Sequence, residues 1–488
     1  MWRKPKLFHL VSMVTFILPL LWISCKSSQN PTEAKILPDT LKYVLNIDVD
    51  YDQEKIFGEC ELTVQNPADE PLYTLPLILY RLLDVTSVTD SHGKNLTFTQ
   101  EVVKFSDWKQ FQVNHIRVKL SPPLHSGEEQ TFIIRYEGHL LGYSEVMGYV
   151  KDHINKDYTV LREDSKTFPE VSYPSLMSNR KKVLQSFDYT ASITVPDSLV
   201  VASGSELIAK SVSDGDITYT YQSLVPSWRM DFAIADYRIL EDKNDKFKIF
   251  YFPEDKEGAQ HLLDSIGKAM ELYTDWFGPL KVFSGLTVIE IPEGYGSQTD
   301  VTTILQEEPS FKNSDSHYGF YHELSHLWNV KSGDKLPPRF ESEGLAMFLQ
   351  HLVQEKLEDK QSATETAVNK MRERLQNNFT QHPDWRDVPM IDYGKEDITD
   401  LSYRKGQIFF YILYELMGED LFLEAMGSFY QKYYETGATA QEFVTHVKDL
   451  SPMNLDLLFE EWIYGAKSSE LIMSEMSIVN IVDRYKHN

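Results

Sequence analysis

The stretch His322-Glu323-Leu324-Ser325-His326 is the most informative part of this chain, and Glu343 follows it seventeen residues after the second histidine. On a helix the two histidines lie four residues apart on one face, where their imidazoles can hold one zinc ion. Glu323 projects beside them and can take a proton from a metal-bound water. The stretch therefore predicts a helix that carries a metal site, and it sets the expected class of reaction as hydrolysis.

A second helix is predicted over residues 341–349, with the sequence ESEGLAMFL. Glu343 in this helix is the expected third metal ligand, and Glu341 is a rival for the same position. Three protein ligands leave the fourth zinc position open for water and substrate, as a catalytic site requires.

An amphipathic helix with two solvent-facing histidines is the alternative interpretation of the motif. The neighbouring side chains argue against it, because Tyr321, Leu324 and Trp328 make the segment apolar. Histidines in such a segment are partly buried and need partners, and a metal ion is one such partner. The sequence therefore favours zinc as the cofactor.

The composition is that of a globular protein with two or three domains. Of the 488 residues, 42% are hydrophobic and 25% are charged, and the formal net charge is −25. Because contacts with phosphates need clustered Lys and Arg, this charge argues against nucleic acid as a partner.

The first 24 residues have the pattern of a targeting segment. A positively charged start precedes an apolar run over residues 7–23, and Ser24 and Cys25 follow. This order resembles the signal peptide and lipobox of bacterial lipoproteins, in which the cysteine becomes the lipidated first residue. The sequence predicts a signal peptide over 1–24, a lipid anchor to the membrane at Cys25, and a location in a bacterial cell envelope outside the cytoplasm. An ordinary signal peptide and an uncleaved anchor are the alternatives.

Residues 25–39 are mostly polar, and we interpret them as a tether. Residues 40–242 are predicted to form an N-terminal domain of antiparallel β-sheets, because segments such as 43–51 and 130–136 alternate apolar and polar side chains. Cys60 lies in one such segment and is expected to be a packed residue rather than a nucleophile.

A charged run over residues 241–246 marks the expected start of a mainly helical catalytic domain, residues 243–466. Strands are predicted at 247–252 and 286–291. Helices are predicted at 258–277, 362–377, 403–417, 419–434 and 439–450. The C-terminal tail, residues 467–488, is expected to hold one more strand near 478–482. The predicted fold class is therefore α+β and multidomain.

Four stretches resemble the M1 family of zinc aminopeptidases, and the resemblance covers roughly residues 40–465. They are His322 to Trp328, Ser342-Glu343-Gly344-Leu345-Ala346, Tyr403-Arg404-Lys405-Gly406 and Gly294-Tyr295-Gly296-Ser297-Gln298. The family joins an N-terminal β-sheet domain to a thermolysin-like catalytic domain, so the resemblance implies that fold for this chain.

The resemblance also implies roles for particular residues. The implied zinc ligands are His322, His326 and Glu343, and Glu323 is the implied general base and acid. Tyr403 is implied to donate a hydrogen bond to the oxyanion. Chemistry supports that role independently, because a fixed phenol near the metal can stabilise the negative charge of a tetrahedral intermediate.

The chain departs from the family pattern at the stretch expected to bind substrate. Residues 294–298 occupy the place of the family's Gly-x-Met-Glu-Asn motif, so Gly294 and Gln298 are expected to bind substrate. Ser297 stands where the family has the glutamate that holds the substrate's α-ammonium group, and a serine cannot match a carboxylate's charge-assisted hydrogen bond. Nearby carboxylates that can take its place are Glu293, Glu307 and Glu308.

Two further comparisons concern the catalytic segment. Sixteen residues separate His326 from Glu343, against eighteen in the family, and the intervening loop with its two prolines can absorb the difference. Trp328-Asn329-Val330-Lys331 also resembles the related zinc-peptidase family M61. No PDZ-like region is evident after the catalytic segment, so M1 is the nearer match. The chain is expected to be a short M1 form without the large C-terminal helical domain.

The sequence therefore predicts a zinc-dependent metallopeptidase that hydrolyses peptides and is of the M1 aminopeptidase type. A zinc-containing binding or scaffold lipoprotein with lost or altered exopeptidase activity is the alternative, because Ser297 replaces the motif glutamate. The intact Glu323 and Tyr403 favour the enzyme. No oligomeric state is predicted.

Overall fold

The computed structural model describes residues 37–182, 185–244, 246–313, 316–395, 398 and 400–486. The predicted signal peptide, Cys25 and all but the last three residues of the tether lie outside the described residues. Among the described residues, every helix is too short or too polar to cross a bilayer.

The structure is α+β, with strands in the first part of the chain and helices in the second. The strands are β1 (Asp39–Asp50), β2 (Lys55–Gln65), β3 (Leu72–Tyr80), β4 (Leu83–Asp90), β5 (Phe98–Lys104), β6 (Gln112–Leu124), β7 (Glu129–Gly138), β8 (Thr159–Arg162), β9 (Glu170–Val171), β10 (Asp188–Pro196), β11 (Val200–Ala202), β12 (Glu206–Ser213), β13 (Asp216–Gln222), β14 (Asp231–Ala235), β15 (Arg238–Glu241), β16 (Phe247–Tyr251), β17 (Leu286–Ile291), β18 (Gln298–Thr299) and β19 (Thr303–Glu307). The helices are α1 (Leu176–Lys182), α2 (Lys256–Phe277), α3 (Pro309–Lys312), α4 (His317–Ser325), α5 (Leu345–Leu357), α6 (Ala363–Gln381), α7 (Asp400–Met417), α8 (Glu419–Tyr433), α9 (Ala440–Leu450), α10 (Asp456–Phe459), α11 (Lys467–Met473) and α12 (Ile478–Lys486).

The N-terminal region contains a seven-stranded sheet in the order β12-β13-β10-β1-β2-β7-β4. Its strands pair antiparallel except for β1 and β10, which run parallel. In β2 every second side chain is buried, including Cys60, so the predicted alternation is confirmed there. A four-stranded sheet, β5-β6-β3-β9, and a three-stranded sheet, β11-β14-β8, complete this region.

The region predicted to be the catalytic domain, called the catalytic region below, begins on a five-stranded sheet in the order β15-β16-β17-β19-β18. All six residues of β17 are buried, including the polar residues Thr287 and Glu290. The short edge strand β18 carries Gln298 and Thr299 to the cleft described below. The predicted boundary at 242/243 falls between β15 and β16, which pair antiparallel in this sheet. The domain boundaries stay predictions.

The predicted long helices are confirmed with ends that shift by a few residues, as α2, α6, α7, α8 and α9. The strand predicted near residues 478–482 is wrong, because this segment belongs to α12. Its β-branched residues suggested a strand, but the buried side chains follow helical spacing: Ile478, Ile481, Val482 and Tyr485. The tail packs against the catalytic region, where the indole of Trp462 donates to the Tyr485 hydroxyl at 2.9 Å.

Among the described residues, two hydrophobic clusters connect the five-stranded sheet to its neighbours. The larger one joins the five-stranded sheet to the helices, from Ile249 to Tyr485. The smaller one joins the three-stranded and five-stranded sheets and includes Val160, Ala233 and Ile289. The smaller cluster thus ties β8, in the first part of the chain, to the five-stranded sheet.

Candidate metal centre and cleft

The two histidines of the motif point at each other from one helical turn, as predicted. The α-helix α4 ends at Ser325, and His326 begins a short 3-10 turn while keeping right-handed helical dihedrals. The Nε2 atoms of His322 and His326 lie 3.3 Å apart. Both side chains are largely buried.

Glu343 joins the histidines from a π-helical turn, Phe340–Gly344, that leads into α5. Its Oε2 atom lies 3.4 Å from Nε2 of His322 and 3.3 Å from Nε2 of His326. Within the described residues, these three side chains form the group of histidine and carboxylate ligands close enough to share one metal ion.

The size of this triangle suits zinc. Tetrahedral ligands bonded at about 2.0–2.1 Å lie about 3.3–3.4 Å from one another. The three measured edges are 3.3, 3.3 and 3.4 Å. The donor set of two imidazoles and one carboxylate, with a fourth position left for water, is that of catalytic zinc sites.

The rival ligand Glu341 lies outside the group that contains Glu343. Burial raises the pKa of the Glu341 carboxyl to about 8. The structure therefore places Glu343, and not Glu341, beside the histidines.

The second oxygen of Glu343 is held by an arginine that the sequence analysis did not single out. Arg339 Nη2 donates to Glu343 Oε1 at 2.5 Å. Burial alone would raise the pKa of Glu343, but the charges of Arg339 and His326 hold it well below its usual range. Burial likewise would lower the pKa of His326, and the Glu343 carboxylate raises it to about 9. The cluster is thus strongly coupled electrostatically.

The two histidines differ in their outer contacts. The side-chain amide of Asn329 lies 2.8 Å from Nδ1 of His326. A hydrogen bond at Nδ1 fixes the ring so that Nε2 faces the cluster, a common arrangement around metal-binding histidines. The Nδ1 atom of His322 is buried without a hydrogen-bond partner among the described residues.

Glu323 is oriented by a residue from the sheet. The hydroxyl of Thr299 in β18 lies 2.8 Å from Oε2 of Glu323 and 2.8 Å from its backbone oxygen. The hydroxyl has one proton, so it donates to one of these oxygens at a time. The contact holds the carboxylate against the edge of the sheet, beside the metal ligands.

Tyr403, in α7, lies against the same cluster. Its ring is parallel to that of His322, with centroids 6.3 Å apart and an interplanar angle of 6°. Arg339 Nη2 donates to its hydroxyl oxygen at 3.0 Å. Burial raises the pKa of the Tyr403 phenol well above its ordinary value, although Arg339 opposes this, so the phenol keeps its proton.

The stretch 294–298 folds back on Glu307. The backbone N–H groups of Gly294 and Gly296 donate to Oε1 of Glu307 at 2.8 and 2.7 Å. The Ser297 hydroxyl accepts from the backbone N–H of Glu307 at 3.0 Å. Gly294 has a φ of +84°, which favours glycine. Glu307 is therefore used to shape the loop.

Glu293 and Glu308 are the other two carboxylates that the sequence offered for binding the α-ammonium group, and neither takes part in the hydrogen bonds between Glu307 and the loop. Glu308 forms an ion pair with Lys312. Glu293 is exposed.

Gln298 belongs to a charged cluster at the cleft wall. Its Nε2 donates to Asp164 Oδ1 at 2.9 Å, and its Oε1 accepts from Arg229 at 2.7 Å. Arg229 also donates to Asp164 and to Asp231. Burial alone would raise the pKa of Asp164, but Arg229 and Arg162 hold it below its usual range, so Asp164 is ionised.

These residues share one large cleft. Its volume is about 1330 Å³, and its lining includes His322, Glu323, Glu343, Tyr403, Gln298 and Asp164. Pockets for small ligands are typically about 300–1,000 Å³, so the cleft has room for several residues of a peptide. Aromatic side chains, including Trp108, Tyr149 and Trp228, also line it.

Sequence reasoning missed Arg339, Thr299 and Asp164. Arg339 had a local signal, since it lies four residues before Glu343 and such pairs meet on a helix. Thr299 and Asp164 meet their partners only through the tertiary fold. Asp164, for example, is separated from Gln298 by 134 positions.

Comparison with known proteins finds a family match for part of the chain. Residues 302–462 match the sequence model of the peptidase family M1 domain. The curated protein aminopeptidase 2, mitochondrial, of Saccharomyces cerevisiae is 20% identical over 460 residues, a match that covers 88% of this chain and 46% of that protein. The chain therefore spans about half the length of this relative.

Solved structures share the fold over most of the chain. A mutant M1 zinc metallopeptidase from Deinococcus radiodurans, bound to a Tyr-Ser-Ala substrate, has a TM-score of 0.62 and 17% identity, covering 88% of this chain and 94% of that chain. Native yeast LTA4 hydrolase has a TM-score of 0.66 and 16% identity, covering 92% of this chain and 72% of that chain. Residues 302–462 are thus a peptidase family M1 domain, in a chain with the fold of the M1 zinc metallopeptidases.

Proposed function

We propose that this chain is a zinc-dependent metallopeptidase that hydrolyses peptide bonds and is of the M1 aminopeptidase type. The observation that carries the proposal is the triangle of donor atoms from His322, His326 and Glu343, with edges of 3.3–3.4 Å, in one cleft with Glu323 and Tyr403. The M1 domain match and the zinc named for solved relatives support the choice of metal.

The residues of the cleft have complementary tasks in this reaction. Zinc, when bound, supplies an acidified water and polarises the substrate carbonyl. Glu323 takes a proton from the attacking water and later delivers it to the leaving amine. Thr299 holds the Glu323 carboxylate in place for both transfers. The protonated phenol of Tyr403 donates to the carbonyl oxygen as negative charge develops there.

Aminopeptidase specificity needs an acceptor for the substrate's α-ammonium group. Glu307 is bonded to the loop backbone and is not among the residues that line the cleft, and Ser297 lacks a charge. Asp164 is an ionised carboxylate in the cleft lining, fixed beside Gln298. Asp164 is therefore the carboxylate that we assign to this task, with Gln298 as the residue that positions it.

The proposal includes a place for the enzyme. The apolar run over residues 7–23 and the Ser24-Cys25 pair support a lipid anchor at Cys25 in a bacterial cell envelope. Fractionation and mass spectrometry of the N-terminus test this, with Cys25→Ser as the control. A wild-type chain recovered without lipid would contradict the anchor.

A panel of fluorogenic peptides tests the activity. We expect cleavage of peptides with a free N-terminus that stops when a chelator removes zinc. Cleavage only of N-terminally blocked peptides would show an endopeptidase instead. One bound zinc per chain without any cleavage would favour the zinc-binding lipoprotein.

A further inference from the structure

Arg339 joins two groups that have different tasks in the cleft. A single nitrogen, Nη2, donates to Oε1 of Glu343 at 2.5 Å and to the hydroxyl oxygen of Tyr403 at 3.0 Å. Nη2 carries two hydrogens, so both bonds form at the same time. The guanidinium carbon also lies 5.4 Å from the centre of the Tyr403 ring.

The bond to Tyr403 determines what the phenol can do. Arginine has no acceptor atom, so Nη2 must be the donor and the phenol oxygen the acceptor. The phenol's own proton is therefore not used by Arg339 and remains available for a group in the cleft. The positive charge beside the oxygen also strengthens the phenol as a donor.

The bond to Glu343 determines how this carboxylate faces the histidines. Oε1 is held by Arg339, while Oε2 is the oxygen 3.3–3.4 Å from the two Nε2 atoms. The carboxylate thus presents one oxygen to the metal position and cannot rotate without losing a charge-assisted hydrogen bond.

The backbone at Arg339 adopts a conformation that arginine rarely takes. Its φ is +61° and its ψ is −1°, in the left-handed region. Such a conformation is unfavourable for a residue with a side chain and persists only where the surroundings impose it. Here it lets the side chain reach both partners from the residue that precedes the π-helical turn.

We propose that Arg339 is a positioning residue for hydrolysis, which aims the Tyr403 proton at the reacting carbonyl and fixes Glu343 as a one-oxygen ligand. The inference rests on the proposed peptidase function. Arg339 acts through its two partners and does not itself take part in bond making.

Arg339→Gly is an informative variant because it removes the guanidinium and also relieves the left-handed backbone. We expect a zinc affinity about tenfold weaker, and a kcat about 10²-fold lower with KM little changed. Arg339→Lys should recover part of kcat, because it restores the charge but not the planar fork. Ser362→Gly is the backbone control. Ser362 also has a positive φ, 58°, but it is exposed and follows α5 in the chain.

Combining Arg339→Gly with Tyr403→Phe tests the route of the effect. If Arg339 acts through the phenol, its loss should lower kcat much less in the Tyr403→Phe background than in the wild type. If the kcat losses of Arg339→Gly and Tyr403→Phe multiply in full in the double variant, the proposal is overturned. A kcat of Arg339→Gly within about twofold of wild type would also overturn it. A loss of kcat that disappears when activity is expressed per folded, zinc-loaded molecule would assign Arg339 a structural role only.

A failure of the proposed peptidase function can be told apart from a failure of the Arg339 proposal. A wild type that cleaves no peptide contradicts the proposed function, whereas competition with a chelator still measures zinc affinity in the wild type and in Arg339→Gly. Equal zinc affinities would then contradict the positioning of Glu343 by Arg339.

Discussion

The backbones of Gly344 and Gly406 meet where α7 crosses the turn that carries Glu343. A Cβ placed on Gly406 would lie 2.7 Å from the Cα of Gly344, and a Cβ on Gly344 would lie 2.6 Å from the Cα of Gly406. This close approach brings Tyr403, one turn before Gly406, against the metal-ligand cluster. Neither glycine can gain a side chain without moving one of the two elements.

Gly406→Ala is therefore expected to lower both stability and activity. The added methyl meets backbone rather than a flexible side chain, so α7 must shift, at a cost of about 1–3 kcal/mol. Chemical denaturation and the kcat for the fluorogenic peptide measure the two effects. Gly267→Ala in α2 is the matched control, because its Cβ would meet nothing within 4 Å. That change should stabilise the protein by roughly 0.5–1 kcal/mol. Equal effects of the two substitutions would contradict the close-packing interpretation.

Glu323→Gln is expected to abolish turnover while zinc stays bound. Glutamine keeps the shape of the side chain but cannot accept a proton from the attacking water. Zinc content by atomic absorption and kcat by the peptide assay distinguish the two outcomes. Substantial residual hydrolysis at full zinc occupancy would rule out Glu323 as the general base.

Thr299→Val should lower kcat without changing zinc affinity. The substitution keeps the volume of the side chain but removes the hydroxyl that lies 2.8 Å from Glu323 Oε2. A hydrogen bond from a neutral hydroxyl to a charged group is worth about 1.5–3 kcal/mol, so we expect kcat to fall about tenfold or more. Thr299→Ser keeps the hydroxyl and serves as the control. An unchanged kcat in Thr299→Val would show that Glu323 needs no such support.

Asp164→Asn is expected to raise KM for peptides with a free N-terminus. The change removes the charge that we assign to binding the α-ammonium group, while Arg229 keeps its bonds to Asp231. Any cleavage of N-terminally blocked peptides should be unaffected. Asp157→Asn, at an exposed position, is the control. Equal changes in KM for free and blocked peptides would contradict the assignment.

Glu290 should make the protein less stable as the pH rises. This carboxyl lies in β17, accepts from the backbone N–H of Phe252 at 2.7 Å, and is fully buried. Burial raises its pKa from 4.5 to about 9. The folded state thus binds the proton more tightly than the unfolded state does. The contribution of the protonated Glu290 to the free energy of unfolding is full below about pH 4.5 and is lost as the pH rises through about 9.

Glu290→Gln removes this titration and should flatten the dependence of the denaturation midpoint on pH between those values. Glu293→Gln, at an exposed position nearby, should leave the dependence as in the wild type. A Glu290→Gln profile parallel to that of the wild type would show that another group causes the dependence.

Much of the fold followed from local patterns. The alternation in β2 and the periodicity of α2 each reflect the side of the element that is buried. The same reasoning failed at α12, because its β-branched residues suit a strand while their spacing suits a helix. The helix buries Ile478, Ile481, Val482 and Tyr485 on one face, and Tyr485 accepts a hydrogen bond from Trp462.

The sequence by itself was enough to name the expected metal ligands and the expected base beside them. One helical turn supplies the two histidines and the base, and a nearby turn supplies the carboxylate ligand. Only the tertiary structure decided which carboxylates line the cleft and which do not. Asp164 reaches the cleft from a turn 134 positions before Gln298, whose neighbour in β18 is Thr299, and Glu307 is withdrawn from it by two backbone hydrogen bonds. Such assignments depend on distances across the fold, and these are set by how sheets and helices pack rather than by any local pattern of residues.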